Sequence, residues 1–232
     1  MRLGASSARG RFLDRADAGR QLARALEHYR DTDTVVAGLP RGGVPVAFEI
    51  ADSLGLDLDV IVVRKLGVPY QPELAMGAVG EHGARVLNSA VAAAAGIGDA
   101  ELAAIEQRET AEVVRRADLF RAGREGVALA GRTVIVVDDG VATGATTRAA
   151  CQVARAAGTR GVVLAVPVAP AESLAELADA VDELVCLQAP LGFGSVGEWY
   201  ENFAQTADAE VIALLERAAR RGAASGEDRT NT

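Results

Sequence analysis

Lysine is almost missing from this sequence. Of its 24 Lys and Arg residues only Lys65 is lysine and every other one is arginine, so the single ammonium group invites a mechanistic question. Cysteine is nearly as scarce. Cys151 and Cys186 sit in apolar segments with no CxxC or Cys/His spacing, which argues against a disulfide framework or thiolate metal site and suits a reducing, cytoplasmic compartment. The two histidines, His28 and His82, lie far apart in polar surroundings and read as surface residues rather than ligands. No apolar run approaches the about 18 residues that a membrane helix requires. The longest candidate, Val162 to Ala171, is interrupted by Pro167 and Pro170. The arginines near the N-terminus precede no apolar stretch, so a secretory signal is not expected. Basic surplus is absent too: 32 acidic residues leave a net charge of −8, against a general nucleic-acid or anionic-membrane binder. No internal repeat of about 20–50 residues is visible.

What remains is an ordinary globular balance. The 232 residues are 50 % hydrophobic and 24 % charged, enough chain for one large domain with a real core. The segment 17–29 places Leu22, Ala25, Leu26 and Tyr29 at helical spacing, with Asp17 as the expected cap. The apolar run 34–39 then leads through Pro40-Arg41-Gly42-Gly43 into a helical pattern, followed by a second strand over 58–64. Strand, glycine turn, helix, strand is a βαβ unit, which implies a parallel sheet. Residues 67–73 read as a mobile loop before a hairpin, and 89–122 as a helical insertion capped at Asp99. The α/β rhythm returns with strands near 133–137, 161–168 and 183–187. A helix near 208–220 closes the pattern, and 222–232 read as a disordered tail.

The most informative stretch is Val134 to Thr147. Four aliphatics in a row suit a strand buried on both faces, and Asp138 and Asp139 stand at its carboxyl end, where open α/β sheets place their ligands. The turn after them, Val141-Ala142-Thr143-Gly144-Ala145-Thr146-Thr147, leads into a helix. It aims backbone N–H groups, hydroxyls and a helix dipole at one point, a phosphate cradle. Two carboxylates beside it would repel a bare polyphosphate, so they suit ribose hydroxyls or a magnesium ion. A Walker loop is ruled out: no lysine lies near, and no GxGxxG occurs in this turn.

Residues Val134 to Thr146 resemble the phosphoribosyl diphosphate (PRPP) signature of the type I phosphoribosyltransferases, with Gly140 where that family usually has an aliphatic residue or Ser. The surrounding order of elements extends the resemblance from about residue 10 to about 210. It implies an α/β fold with a mostly parallel, Rossmann-like sheet, flanking helices, a flap loop or hairpin, and a small hood near 188–206, all in a single domain over 1–221. Pro40-Arg41-Gly42-Gly43 is similar to the family's diphosphate loop, with Pro40–Arg41 the candidate for its cis peptide. Glycines there let backbone amides approach an anion, and an arginine adds a fork of donors. Arg64 and Lys65, expected to end the second strand, would add cations at the same sheet edge.

The resemblance implies transfer of the 5-phosphoribosyl group of PRPP to a nitrogenous base or related acceptor, with release of diphosphate. In that reading Asp138, Asp139 and Lys65 carry the catalytic roles, residues 141–147 hold the 5′-phosphate, and Arg41, Gly42, Gly43, Arg64 and Lys65 receive the diphosphate. Magnesium would arrive with PRPP, held in part by Asp138 and Asp139. The hood aromatics Phe193, Trp199 and Tyr200 are candidates for stacking on the acceptor, although Trp199 and Phe203 equally suit the hood's own small core. The arginines 115, 116 and 124 read as a solvated helix face; a contact donating an arginine to a neighbouring subunit in a homodimer is the alternative. A rival reading keeps the fold as a PRPP-sensing regulator, for which no helix-turn-helix or basic face is present.

Overall fold

Nine strands and seven helices are laid down in the computed structural model, which describes residues 2–3 and 10–229. In chain order they are β1 (Arg2–Leu3), α1 (Arg15–Ala25), β2 (Thr34–Gly38), α2 (Gly43–Leu54), β3 (Asp57–Val60), β4 (Arg64–Val68), β5 (Gln71–Val79), β6 (Arg85–Leu87), α3 (Ser89–Ala94) and α4 (Asp99–Arg121). Then follow β7 (Thr133–Val137), α5 (Ala145–Ala156), β8 (Gly161–Val168), α6 (Ala171–Ala178), β9 (Glu183–Gln188) and α7 (Asp208–Arg229). A six-stranded sheet runs in the order β1-β9-β8-β7-β2-β3, and all its pairings are parallel.

Strand alternation divides the core into two layers. On β7, Val134 and Val136 join the cluster under α5 and α6, whereas Ile135 and Val137 join the one under α1, α2, α4 and α7. Both faces are therefore dry, as an aliphatic run without polar interruption demands. Cys151 and Cys186 are free thiols buried in the first of these layers. Burial pushes them up to about 12 and about 11 respectively. Among the described residues no helix is long and apolar enough to cross a membrane.

Topology creates the site before any side chain does. From β2 the chain crosses through α2 to β3 on one side, and from β7 through α5 to β8 on the other, so α2 and α5 cover opposite faces. The carboxyl ends of the neighbouring strands β2 and β7 thus flank a switch point, the crevice where such sheets bind ligands.

Several expectations need correction. Asp14, not Asp17, caps α1: its carboxylate accepts the Asp17 N–H at 2.8 Å, and Asp17 lies inside the first turn, where an acid favours the dipole. The strand expected over 58–64 stops at Val60, because its one partner, β2, ends at Gly38; the chain then leaves to form a separate antiparallel sheet, β4-β5-β6. Arg64 and Lys65 accordingly open a flap strand rather than close a core strand. The loop expected over 67–73 is itself mostly strand, with only Pro69 and Tyr70 between β4 and β5; buried Leu66, Val68 and Met76 fix this hairpin to the core. The insertion over 89–122 is two helices, broken near Gly96 and Gly98. Gly98, not Asp99, occupies the cap position of α4, and no side chain caps it. The closing helix passes the expected stop and runs to Arg229, making 222–229 helical, since no proline interrupts it; the last three residues of the presumed tail lie outside the described ones.

Candidate active site

Two glycine turns interlock at the switch point. The Leu39 N–H donates to the Val137 carbonyl at 2.8 Å, tying the end of β2 to the end of β7. Gly42 lies so close to the acidic pair that a Cβ there would stand 2.0 Å from Asp139 Oδ2, and one on Gly43 would stand 2.5 Å from the Val137 carbonyl oxygen. Glycine at 42 and 43 is thus required by contact with the opposite turn. The Pro40–Arg41 peptide is cis.

The turn from Gly140 to Gly144 is held from behind. The Val141 N–H donates to the Val168 carbonyl at 2.9 Å, and the Ser173 hydroxyl donates to the Ala142 carbonyl at 2.6 Å. No side chain caps α5, so its first-turn N–H groups, beside exposed Thr143 and Thr146, face outward without competition from within the helix. Thr147 turns inward, its hydroxyl 3.4 Å from Asp138 Oδ2. Gly140 departs from the family pattern for a local reason: its φ is +156° and a Cβ would meet Val196 Cγ1 at 2.5 Å, so the glycine lets the hood close against the turn.

The two carboxylates have different environments. Burial, and then the charge of Asp139, push the Asp138 carboxyl up to about 8, against the opposing hydrogen bonds from the Asp139 N–H and Thr147. Asp139 instead carries an arginine. Arg15 Nε and Nη2 each lie 2.8 Å from Asp139 Oδ2, Arg15 Nη1 donates to the Ala204 carbonyl at 2.6 Å, and its guanidinium covers the Phe203 ring at 4.0 Å. Arg15 is the site residue that sequence reading missed. It stands at the start of an unremarkable amphipathic helix, and nothing local announces a contact 124 positions away.

Two cavities flank this centre. One, of about 170 Å³, brings Pro40, Arg64, Lys65 and Thr146 together with Arg116; the other, of about 300 Å³, brings Arg41, Gly42 and Asp139 together with Arg15 and Phe203. Arg41 also pairs with Asp208 at 3.7 Å, at the first turn of α7. The hood residues are less concentrated. Tyr200 is 3 % exposed, its hydroxyl donates to the Asp139 carbonyl at 2.5 Å, and its ring packs beside Phe12 and Phe203, so it fastens the hood instead of offering a stacking face. Phe193 and Trp199 are half-buried against the main core layer.

A doubly wound α/β protein with two glycine turns meeting beside an acidic pair at its switch point is the class this geometry defines. The chain belongs to the phosphoribosyl transferase domain family, whose pattern matches residues 12–205. It is 55 % identical over 215 residues to the protein named "Putative phosphoribosyl transferase Rv0571c" of Mycobacterium tuberculosis strain H37Rv, and equally to its counterpart in strain CDC 1551. The alignment takes in 93 % of this chain but 48 % of theirs, so the chain spans about half the length of these curated relatives. Among solved structures, TT1426 from Thermus thermophilus is similar at 44 % identity with a TM-score of 0.81, over 89 % of this chain and 98 % of that one.

Proposed function

We propose that the chain transfers the 5-phosphoribosyl group of PRPP to a nitrogenous base or related acceptor and releases diphosphate. The observation that carries this reading is the interlock of the two glycine turns across Asp139, which sets a 5′-phosphate cradle and a diphosphate loop on either side of one acidic pair. Residues 141–147 hold the 5′-phosphate through the uncapped start of α5 and the hydroxyls of Thr143 and Thr146. Asp138 and Asp139 take the ribose hydroxyls. Arg41, Gly42, Gly43, Arg64 and Lys65 receive the diphosphate, whose negative charge grows as the bond to the anomeric carbon breaks. With no protein nucleophile required, the residues act by positioning and by electrostatic stabilisation of the leaving group. Phe193 remains the candidate for contact with the acceptor ring.

The donor set suits magnesium that travels with the substrate. Among the described residues no three acidic, His or Cys side chains gather as a cage, while the paired carboxylates of Asp138 and Asp139 could complete the shell of an ion held mainly by phosphate oxygens and water. When bound, such an ion screens the diphosphate charge.

Release of diphosphate from PRPP and magnesium, assayed with a panel of purine, pyrimidine and other heterocyclic acceptors, tests the proposal. Base-dependent release supports it. Tight PRPP binding with no turnover on any acceptor would replace it with the regulatory reading.

A further inference from the structure

The long helix α4 borders the site without belonging to either glycine turn. Its buried stripe is Ile105, Glu109, Val113, Ala117 and Phe120, spaced along one helical face that packs on the flap strands β4 and β5 and on α7. Glu109 is the only charged residue in that stripe, with 8 % exposure. A buried carboxylate needs partners, and it has two: Arg64 Nε at 2.9 Å and Arg108 Nε at 3.0 Å, one on each oxygen. The Arg64 contact uses Nε and so holds the guanidinium through its inner nitrogen.

Two turns further on, Arg116 lines the same small cavity as Pro40, Arg64, Lys65 and Thr146, so a residue of α4 stands among the groups assigned to phosphate and diphosphate. Its helix neighbour Glu112 does not consume its charge. Both Glu112 oxygens are engaged by Arg115, at 2.7 and 2.8 Å, and Arg116 shares one of them at 3.2 Å. Two arginines on one carboxylate leave a cation in surplus, and Arg116 lines the cavity.

Resting on the transferase reading, we infer that α4 is part of the diphosphate subsite: Arg116 is a direct ligand of the leaving diphosphate, and Glu109 is a positioning residue that holds Arg64 for the same group. The subsite is thereby assembled in one chain from three separate pieces, the turn after β2, the flap strand β4 and α4. Diphosphate is the ligand this arrangement suits, because the cavity joins Arg116 to Arg64 and Lys65 and to Pro40, at the head of the Arg41-Gly42-Gly43 turn; Thr146, at the start of α5, lines the same cavity, so the two phosphate positions meet there.

Two probes separate the halves of the site, magnesium with inorganic diphosphate and ribose 5-phosphate, each titrated calorimetrically against the full chain. Arg116→Gln should weaken diphosphate about tenfold or more, the scale of one charge-assisted hydrogen bond, and leave ribose 5-phosphate unchanged. Arg116→Lys should recover part of the loss. Glu109→Gln should raise the diphosphate inhibition constant and the KM for PRPP at temperatures where the variant is fully folded, again with ribose 5-phosphate binding intact. Equal losses for both probes, or diphosphate binding by Arg116→Gln at the wild-type level, would overturn the inference. If Arg41→Ala alone weakens diphosphate, α4 is excluded and the transferase reading stands; a wild-type chain indifferent to diphosphate overturns both.

Discussion

Arg15 Nη2 lies 2.8 Å from Asp139 Oδ2, and the two side chains are only 12 % and 15 % exposed. This contact makes the first helix part of the site. Removing one partner of a largely buried pair strands the other charge, at a cost of about 3–5 kcal/mol when burial is complete and less where water reaches in. Arg15→Ala should therefore destabilise the fold by about 2 kcal/mol and weaken PRPP binding, because Asp139 loses the group that orients it. Arg15→Lys should restore most of the stability and little of the affinity, since an ammonium cannot reproduce the fork that reaches Asp139 and Ala204 together. Thermal unfolding and PRPP titration on both variants check this.

Gly42→Ala probes the same carboxylate from the other side. The backbone at 42 is helical, with φ −62°, so alanine fits the conformation and the conflict is purely spatial: a Cβ 2.0 Å from Asp139 Oδ2 and 3.2 Å from Arg15 Nε. Overpacking of this kind costs about 1–3 kcal/mol, and it should move Asp139 off Arg15. The double variant Arg15→Ala, Gly42→Ala should then lose less than the sum of the single losses. Strict additivity in melting experiments would show that the two act on separate structures.

Strand periodicity exposes most of the sheet in advance, since Val134 to Val137 and Val162 to Val166 are buried on both faces and tolerate no polar interruption. The carboxylates and the glycine turns are legible for the same reason: chemistry that needs backbone contact leaves glycine, threonine and acid at fixed spacing. Arg15 and the cleft position of Arg116 are not legible, because each reaches the site across the fold from a helix whose local pattern is complete without it. Arg64 and Lys65 are legible as cations of the site but not in their place. Their strand looks continuous with β3, and only the end of its partner β2 at Gly38 decides where pairing stops. Aromaticity alone marks Tyr200 for stacking, while its hydroxyl at the Asp139 carbonyl gives it a structural post.

Lys65 offers a test of whether the one lysine has a task. It shares the cavity with Pro40 and Thr146, on a strand whose folding depends on Leu66 and Val68 instead. Lys65→Ala should leave a folded chain, since Leu66 and Val68 anchor the strand, and yet reduce turnover about tenfold or more. Unchanged turnover and PRPP affinity would mean that the position of this residue is an accident.

The Asp138 carboxyl makes the fold sensitive to pH in a direction opposite to that of a salt-bridged acid. Burial and the neighbouring charge of Asp139 raise it from 3.8 to about 8, so the folded chain keeps a proton that the unfolded chain gives up. Below about pH 4 both states hold the proton and the group contributes nothing. Between there and about 8 only the folded state holds it, and stability falls as pH rises, by at most about 1.4 kcal/mol per pH unit. Asp138→Asn removes that titration together with the repulsion from Asp139. The variant should be more stable than the parent at pH 8 in the absence of substrate, with the difference shrinking steadily toward pH 4, while its turnover falls because the amide cannot serve as a carboxylate to the ribose hydroxyls. About 2–4 °C of melting temperature per kcal/mol makes the divergence measurable by calorimetry. Parallel curves for the two chains across that range would show that Asp138 is ionised in the free protein and that its place beside Asp139 carries no cost to the fold.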